Sequence, residues 1–245
     1  MLIFLNQKEE REDLAQLENK MKSYNNKISE NNSTELNSLQ KVEQKIIAFS
    51  GAARVGKDTF AKEIIKQINL IIPNLTCEKY SFAYGVREEL QEFIENHYQI
   101  NPWTEVDEEK EIIRPLLIAH GNAKRSLSNN QYWIDFLCKK LKSQNTVNVA
   151  VISDLRFAMT ENDEGSWVKK NTGLHIHLRR YEEQNGIKKT IKPVISFEKQ
   201  NEPFLLKNAN MVVDIKSFDN EKDLQVQVEY ICEKIIMDNF SWLSK

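Results

Sequence analysis

The fold of this 245-residue chain is decided by one stretch, Gly51-Ala52-Ala53-Arg54-Val55-Gly56-Lys57-Asp58-Thr59. It follows the apolar run of residues 46–49 and precedes a helical pattern that begins at Phe60. Glycine lets the backbone curl closely around an anion, and glycines bracket this loop. The amides of such a loop and of the next helical turn converge on one centre, where the helix macrodipole also favours negative charge. The stretch therefore predicts a phosphate-binding loop (P-loop), and we expect all nine residues to bind ATP.

Three polar side chains end this loop. Lys57 supplies a mobile cation for the terminal phosphates, and the Thr59 hydroxyl can ligate Mg²⁺. Asp58 stands where the common pattern has Ser or Thr directly after the lysine. A carboxylate beside a triphosphate is repelled unless it binds metal, accepts a bond from a backbone N–H, or faces the incoming acceptor. All three roles stay open for Asp58.

Composition places the chain among globular proteins. It is 40% hydrophobic and 29% charged, which is enough to bury a sizeable core, and its net charge of −2 excludes a general affinity for nucleic acid or anionic membranes. Residues 1–5 are too short for a signal peptide, and no 18-residue apolar run exists. The three cysteines form no CxxC pair, so we expect neither zinc nor a disulfide framework, and a reducing cytoplasmic setting, or a host cytoplasm if the protein is viral.

Residues 1–43 differ in character from the rest and predict a helical N-terminal extension. Apolar residues recur there at steps of three and four, namely Leu14, Leu17, Met21, Tyr24 and Ile28. That spacing suits an amphipathic helix packed on its own domain, and it equally suits a coiled-coil arm between the subunits of a homodimer.

Residues 44–245 alternate between strand and helix patterns and predict one α/β domain. Strands are expected at 45–50, 78–82, 147–152, 174–178 and 211–215, and helices at 57–69, around 86–97, around 133–141 and at 219–237, with a helical stretch broken at Pro115 and near Gly121. Such alternation predicts a parallel sheet of five strands covered by helices on both faces.

Charged residues follow two of these strands where they end, which is where open parallel sheets bind ligands. Asp154 comes directly after strand 147–152 and could hold Mg²⁺, and Arg156 would point the same way, toward phosphate. Strand 174–178 runs into Arg179 and Arg180, which begin a polar stretch that could close over ATP as a lid. The histidines on that strand have no Cys or carboxylate at ligand spacing, so we assign them no metal.

Several ordered motifs give the chain a resemblance to a known family. After the Gly-Lys-Asp-Thr ending of the loop come Ser81-Phe82-Ala83 leading to Arg87, Arg114-Pro115-Leu116-Leu117 with Gly121 and Arg125, Tyr132-Trp133, and Asp154-Leu155-Arg156-Phe157. In this order and spacing they resemble the viral and bacterial deoxynucleoside monophosphate kinases, within the P-loop nucleoside monophosphate kinase class. The resemblance spans about residues 45–237.

This resemblance implies a P-loop NTPase-type three-layer α/β fold with a five-stranded parallel sheet. It further implies a helical acceptor-binding insertion at about 84–145 and a lid with its connecting segment at about 179–205. The implied reaction is transfer of a phosphoryl group from ATP, with Mg²⁺, to a deoxynucleoside monophosphate (dNMP).

The resemblance also assigns roles to individual residues. Lys57, Asp58, Arg156 and Arg180 would be catalytic, and Arg179 would join the loop in binding ATP. The acceptor phosphate would meet Arg87, Arg114, Arg125 and Arg156, with Trp133 near the base, although the helical spacing of Trp133 also suits a core residue. Thr59 and Asp154 would bind the metal.

Departures from the family pattern leave base specificity open. In the family pattern the Asp-x-Arg-Phe segment continues Pro-Asn-Glu, whereas residues 158–161 are Ala-Met-Thr-Glu here. Gly121 is followed by Asn122, where the family pattern has Thr. Two other functions stay open. A phosphomevalonate kinase-like enzyme shares the Gly-Lys-Asp motif, and a non-catalytic nucleotide-binding module would use residues 6–43 to bind a partner.

Overall fold

A computed structural model describes residues 41–144, 146–185, 187–193, 196–217 and 221–244. The predicted N-terminal extension therefore lies, up to residue 40, outside the described residues. From Val42 onward the chain is tied to the domain, because the Val42 N–H donates to Asn171 Oδ1 at 3.1 Å.

The loop lies between a buried strand and a long helix. Strand β1 spans Lys45–Gly51, and its central residues 46–50 are fully buried, as expected for a strand covered on both faces. Helix α1 spans Lys57–Ile71, and Phe60, Ile64 and Ile68 recur on its buried face every four residues.

The other elements follow in chain order. They are β2 Cys77–Tyr80, α2 Ala83–Tyr98, α3 Asp107–Leu127, α4 Tyr132–Ser143, β3 Val149–Ile152, α5 Glu164–Lys170, β4 Leu174–Gln184, β5 Ile187–Thr190, α6 Ser196–Asn208, β6 Met211–Lys216, α7 Glu221–Asp238 and α8 Phe240–Leu243. Pro115 and Gly121 lie inside α3. The break expected at these two residues therefore does not occur.

The sheet corrects the predicted fold class. Strands β2, β3, β1, β4 and β6 pair in parallel in that order, but β5 pairs antiparallel with the far end of β4, through partners such as Tyr181 and Thr190. The prediction of a P-loop-type fold with a five-stranded parallel sheet is therefore wrong, because the sheet is mixed and has six strands. The missed strand is β5. All four of its residues are exposed, so its sequence lacks the apolar alternation that marks a strand.

Helices cover both faces of the sheet. Alternate residues of the central strands point to opposite faces, so that Ile47 and Val151 pack with α1 and α7, whereas Ile46 and Ile152 pack with α4 and α5. Helices α2, α3 and α4 connect β2 to β3, and a small separate cluster around Ile94 holds α2 on α3. The loop after β1 thus opens at the end of the sheet where this helical connection begins.

Gly51 offers a direct test of how closely the loop approaches β4. Its φ is +135°, and a Cβ added there would lie 2.3 Å from the carbonyl oxygen of Leu178, whereas a Cβ on Gly56, at φ +105°, would have no neighbour nearer than 4.0 Å. We expect Gly51→Ala to lower the free energy of unfolding by about 3 kcal/mol or more, and Gly56→Ala by about 1 kcal/mol, since only the first adds a clash to backbone strain. Urea unfolding checks this, and equal losses would contradict the close approach.

Candidate phosphate-binding site

The loop is shaped by three residues with positive φ. These are Gly51 (+135°), Arg54 (+62°) and Gly56 (+105°), and together they turn the chain back on itself at the carboxyl end of β1. Gly56 immediately precedes α1 and accepts the first helical hydrogen bond, from the N–H of Phe60. Within the described part of the chain, no acceptor is bonded to the amides of residues 57–59. This helix start therefore offers free donors and the positive end of the macrodipole.

Lys57 lies at the centre of the loop. Its Nζ donates to the carbonyl oxygens of Gly51 and Ala52, at 2.8 Å each, so the ammonium is folded back onto the loop. Burial, followed by the nearby Arg156 guanidinium, lowers the pKa of Lys57 to about 8, while the surrounding carboxylates, Glu198 foremost, oppose this shift. A cation of this kind is mostly protonated at neutral pH and only partly neutralised, which suits it to a phosphate.

The Asp58 side chain contacts the neighbouring strand β2. Its carboxylate forms an exposed ion pair with Lys79 at 2.8 Å. Burial alone would raise the pKa of Asp58, but Lys79 and the Ser153 hydroxyl outweigh that effect and hold the pKa below its usual value. This ion pair with Lys79 is none of the three roles left open for Asp58, which stay predictions.

Asp154 caps a helix. Its carboxylate accepts hydrogen bonds from the Ser81 hydroxyl at 2.8 Å and from the N–H groups of Phe82 and Ala83 at 2.8 and 2.9 Å. Ser81 and Phe82 lie just before α2 and Ala83 is its first residue, so the carboxylate lies at the helix N-terminus, where it also complements the macrodipole. The predicted role of Asp154 in holding Mg²⁺, directly or through water, thus competes with three hydrogen bonds that its carboxylate already accepts.

The residues near the loop fit Mg²⁺ only in part. Thr59 is exposed on the first turn of α1, and its hydroxyl is free to ligate a metal. Among the described residues, no three His, Cys, Asp or Glu side chains are grouped closely enough to hold a metal ion. Mg²⁺ would therefore be held by Thr59 and by the phosphate oxygens that it accompanies, as is usual for this ion.

Arg156 and the helix α6 form the walls of a small cavity over the loop. The cavity is lined by Gly51 and Lys57 below, by Arg156 at one side, and on α6 by Phe197, Glu198, Glu202 and Leu205. The Arg156 side chain is exposed, and no hydrogen bond or ion pair joins its guanidinium to the described residues. Two cations, Lys57 and Arg156, thus meet where β1 and β3 end.

Helix α6 rests directly on the loop. Glu198 Oε2 accepts a hydrogen bond from the N–H of Ala53 at 3.2 Å. The ring of Phe197 stacks on Phe157, with centroids 6.2 Å apart, and Leu205 is buried in the core on the α4 and α5 face. This part of the predicted lid segment is therefore a packed helix.

A buried polar chain connects α6 to the sheet beneath the loop. The Ser50 hydroxyl contacts His175 Nε2 at 2.6 Å and His177 Nδ1 at 2.8 Å, and His177 Nε2 lies 3.5 Å from Glu202 Oε1. All three of the Ser and His side chains are buried. Burial lowers the pKa of His175 to about 4, despite a hydrogen bond from its ring to the backbone of Asn208.

The depressed pKa of His175 makes stability depend on pH. An unfolded histidine takes up its proton near pH 6.5, so between pH 6.5 and 4 the unfolded state binds more protons than the folded state. We expect the free energy of unfolding to fall by about 3 kcal/mol as pH drops through this window. Urea unfolding at several pH values should show a smaller loss in His175→Gln, whereas the exposed-site variant His97→Gln should keep the wild-type slope. A wild-type slope in His175→Gln would contradict this assignment.

Two of the predicted acceptor residues are committed to partners inside the protein. Arg125 is buried and pairs with Glu164 at 3.0 Å, with its guanidinium 3.5 Å above the ring of Phe157. Trp133 is buried, and its Nε1–H donates to the carbonyl oxygen of Gly121 at 3.0 Å. The structure therefore places Trp133 in the core, which is the alternative that its helical spacing allowed.

The other predicted arginines differ in availability. Arg114 is exposed on α3 and pairs with Glu111 at 3.0 Å, and Arg179 makes a two-point ion pair with Asp214 of β6. Arg87 and Arg180 each bury an Nε atom that has no partner among the described atoms. Arg87, Arg156 and Arg180 are thus the predicted arginines best able to take a new anionic partner.

Four charged residues near this site escaped the sequence analysis. Lys79 holds Asp58, Glu164 holds Arg125, and Glu198 and Glu202 face the loop from α6. Glu198 and Glu202 stand four residues apart, which places them on one face of a helix, and that spacing was the available signal. The positions of Lys79 and Glu164 carry no comparable signal, because their partners lie 21 and 39 residues away.

No helix in the described ranges is both long and apolar enough to cross a membrane.

Neither the models of known protein families nor the curated proteins give a match to this chain. Among solved structures it is similar to the tunicamycin resistance protein of Deinococcus radiodurans, with 13% sequence identity, 80% of this chain and 95% of that chain covered, and a TM-score of 0.34. A likeness this weak supports no conclusion about the fold or the function of this chain.

Proposed function

We propose that this protein transfers a phosphoryl group from Mg·ATP directly to a deoxynucleoside monophosphate. The observation that carries the proposal is the arrangement of the loop, in which free amides at the start of α1, the half-buried Lys57 and the unpaired guanidinium of Arg156 lie together at one end of the sheet. Each of these groups attracts a phosphate. Their convergence suits a site where negative charge must be held and moved.

In this proposal the amides of residues 57–59 and the Lys57 ammonium hold the donor phosphates. Transfer between two phosphate groups develops charge on the equatorial oxygens of the moving phosphoryl group, and fixed cations on opposite sides stabilise that charge. Lys57 would act from the loop and Arg156 from the end of β3. Mg²⁺, when bound through Thr59 and the phosphates, would neutralise part of the same charge. No covalent intermediate is needed, since positioning and charge supply most of the rate.

The choice of acceptor rests on the ordered motifs and on the arginines that are free. A nucleoside monophosphate brings nearly two negative charges, and planar guanidinium groups match its oxygens in pairs. The Arg156 guanidinium makes no hydrogen bond or ion pair with the described residues, and Arg87 buries an unpartnered Nε at the start of the helical connection. In this proposal Arg125 and Trp133 have a structural role at the site, because both side chains are already bonded within the protein.

A coupled assay of ADP formation over the four dNMPs, their ribose counterparts and phosphomevalonate tests the proposal. We expect turnover with at least one dNMP and slow ATP hydrolysis without an acceptor. Arg156→Ala should weaken dNMP use about 10²-fold, with little change in ATP affinity, since one charge stabiliser is lost. The exposed-site variant Lys169→Ala on α5 serves as the charge-matched control. Turnover with phosphomevalonate alone, or no turnover at all, would reject the proposal.

A further inference from the structure

Helix α6 brings a negative charge to the place where a phosphate would bind. Glu198 Oε2 accepts the N–H of Ala53 at 3.2 Å, and the same side chain lines the cavity above Lys57. A loop built to offer amides and an ammonium to an anion is thus already in contact with an anion from its own chain.

The carboxylate also acts on Lys57 electrostatically. Glu198 and Lys57 line the same cavity, so a negative charge lies beside the ammonium. A carboxylate that favours the charged ammonium does what a bound phosphate would do. Lys57 itself bonds two loop carbonyl oxygens, at 2.8 Å each, so the cation is satisfied without any ligand.

Glu198 is held in this position by the rest of α6. Phe197 stacks on Phe157, Glu202 lies 3.5 Å from the buried His177, and Leu205 is packed in the core. These contacts flank Glu198 along the helix. The carboxylate therefore reaches the loop from a helix that is packed on the sheet.

We propose that Glu198 is an internal competitor for the phosphate site, so that nucleotide binds only when this carboxylate leaves the loop. The inference rests on the proposed function in one respect, namely that the incoming anion is the phosphate chain of ATP. A carboxylate and a polyphosphate cannot both bind the Ala53 N–H beside the Lys57 ammonium, because two negative charges at this range repel each other. The apparent affinity is then lowered by the fraction of molecules in which Glu198 occupies the loop.

The test uses inorganic pyrophosphate as the anion, titrated calorimetrically into the full chain. Glu198→Gln keeps the shape of the side chain and removes its charge, and we expect it to bind pyrophosphate about 10-fold more tightly than the wild type does. The charge-matched control is Glu233→Gln, an exposed position on α7, which should bind as the wild type does. Amide hydrogen exchange of residues 52–56 in the ligand-free protein is the second measurement. It should be faster in Glu198→Ala, since the Ala53 amide loses its acceptor.

Pyrophosphate affinity that is equal or weaker in Glu198→Gln, or absent in every variant, would overturn the inference. Unchanged exchange of the loop in Glu198→Ala would overturn it as well. Neither measurement requires kinase activity. A protein that phosphorylates no dNMP but binds pyrophosphate more tightly after Glu198→Gln would lose the proposed function and keep the competitor.

Discussion

Replacing Lys57 with alanine is expected to lower kcat for phosphoryl transfer by about 10²- to 10³-fold, the scale seen when one preorganised charge stabiliser is removed. Lys57 is half-buried at the centre of the loop and close enough to Arg156 for the two charges to influence each other. A phosphoryl group in transfer carries more concentrated charge than bound ATP does, so the ammonium should stabilise the transition state more than the ground state. The loss should therefore appear in kcat more than in the KM for ATP.

Steady-state kinetics with saturating ATP and dNMP measure this effect. Lys62→Ala is the matched control, because Lys62 lies on the same helix, five residues further on, and is exposed. Both variants should unfold at similar urea concentrations. If Lys57→Ala turned over at the rate of Lys62→Ala, the loop would not be the catalytic centre, and the mechanism proposed for Lys57 would fail.

Replacing Glu164 with alanine is expected to lower the free energy of unfolding by about 3–5 kcal/mol, because it leaves a buried guanidinium without its counter-charge. Glu164 Oε1 pairs with Arg125 at 3.0 Å, and Oε2 accepts the N–H groups of Arg156 and Phe157 at 2.9 and 3.3 Å. Burial raises the pKa of Glu164 to about 7, although Arg125 opposes the shift. Glu164 and Arg125 thus each supply the counter-charge for the other.

Urea unfolding measures this loss, with Glu161→Ala as the control, since that side chain is exposed just before α5. The double variant Arg125→Leu with Glu164→Leu should recover most of the stability, because no unpaired charge stays buried. A loss below about 1 kcal/mol in Glu164→Ala would mean that Arg125 is not held by this pair. Arg125 would then be available to bind an acceptor phosphate, as the family resemblance implies.

The strands and the loop were largely predictable because they depend on residues close together in sequence. The strand expected at 45–50 is observed at Lys45–Gly51, since a continuous apolar run flanked by polar residues identifies a buried strand. Strand β5 was missed because exposed residues carry no such pattern, and the fold class was wrong as a result. A hydrophobic pattern identifies a buried strand, but it does not identify an exposed strand that is held at the sheet edge by hydrogen bonds.

The partners of the charged residues could not be predicted in the same way. The presence of an arginine indicates that an anion will bind at that position, but the sequence does not identify the anion. Arg125 could serve a phosphate or Glu164, and Arg179 could serve ATP or Asp214, and the outcome depends on side chains that meet only in the folded chain. The contact of Glu198 with the loop spans 145 residues and is of the same kind.

The contact of Ser50 with two histidines has a consequence for where protons reside. A serine hydroxyl has one hydrogen, and two ring nitrogens lie within bonding distance of it, so at most one ring can accept that hydrogen and at least one ring must donate its own. His175 is neutral, and its other ring nitrogen donates to the backbone of Asn208, so His175 Nε2 is the acceptor. His177 must then donate from Nδ1. This leaves His177 Nε2 at 3.5 Å from Glu202 Oε1, without a hydrogen-bond partner among the described atoms. The neutral His175 and the count of donors together assign the direction of both Ser50 contacts, so one serine hydroxyl joins β1 to two histidines of β4.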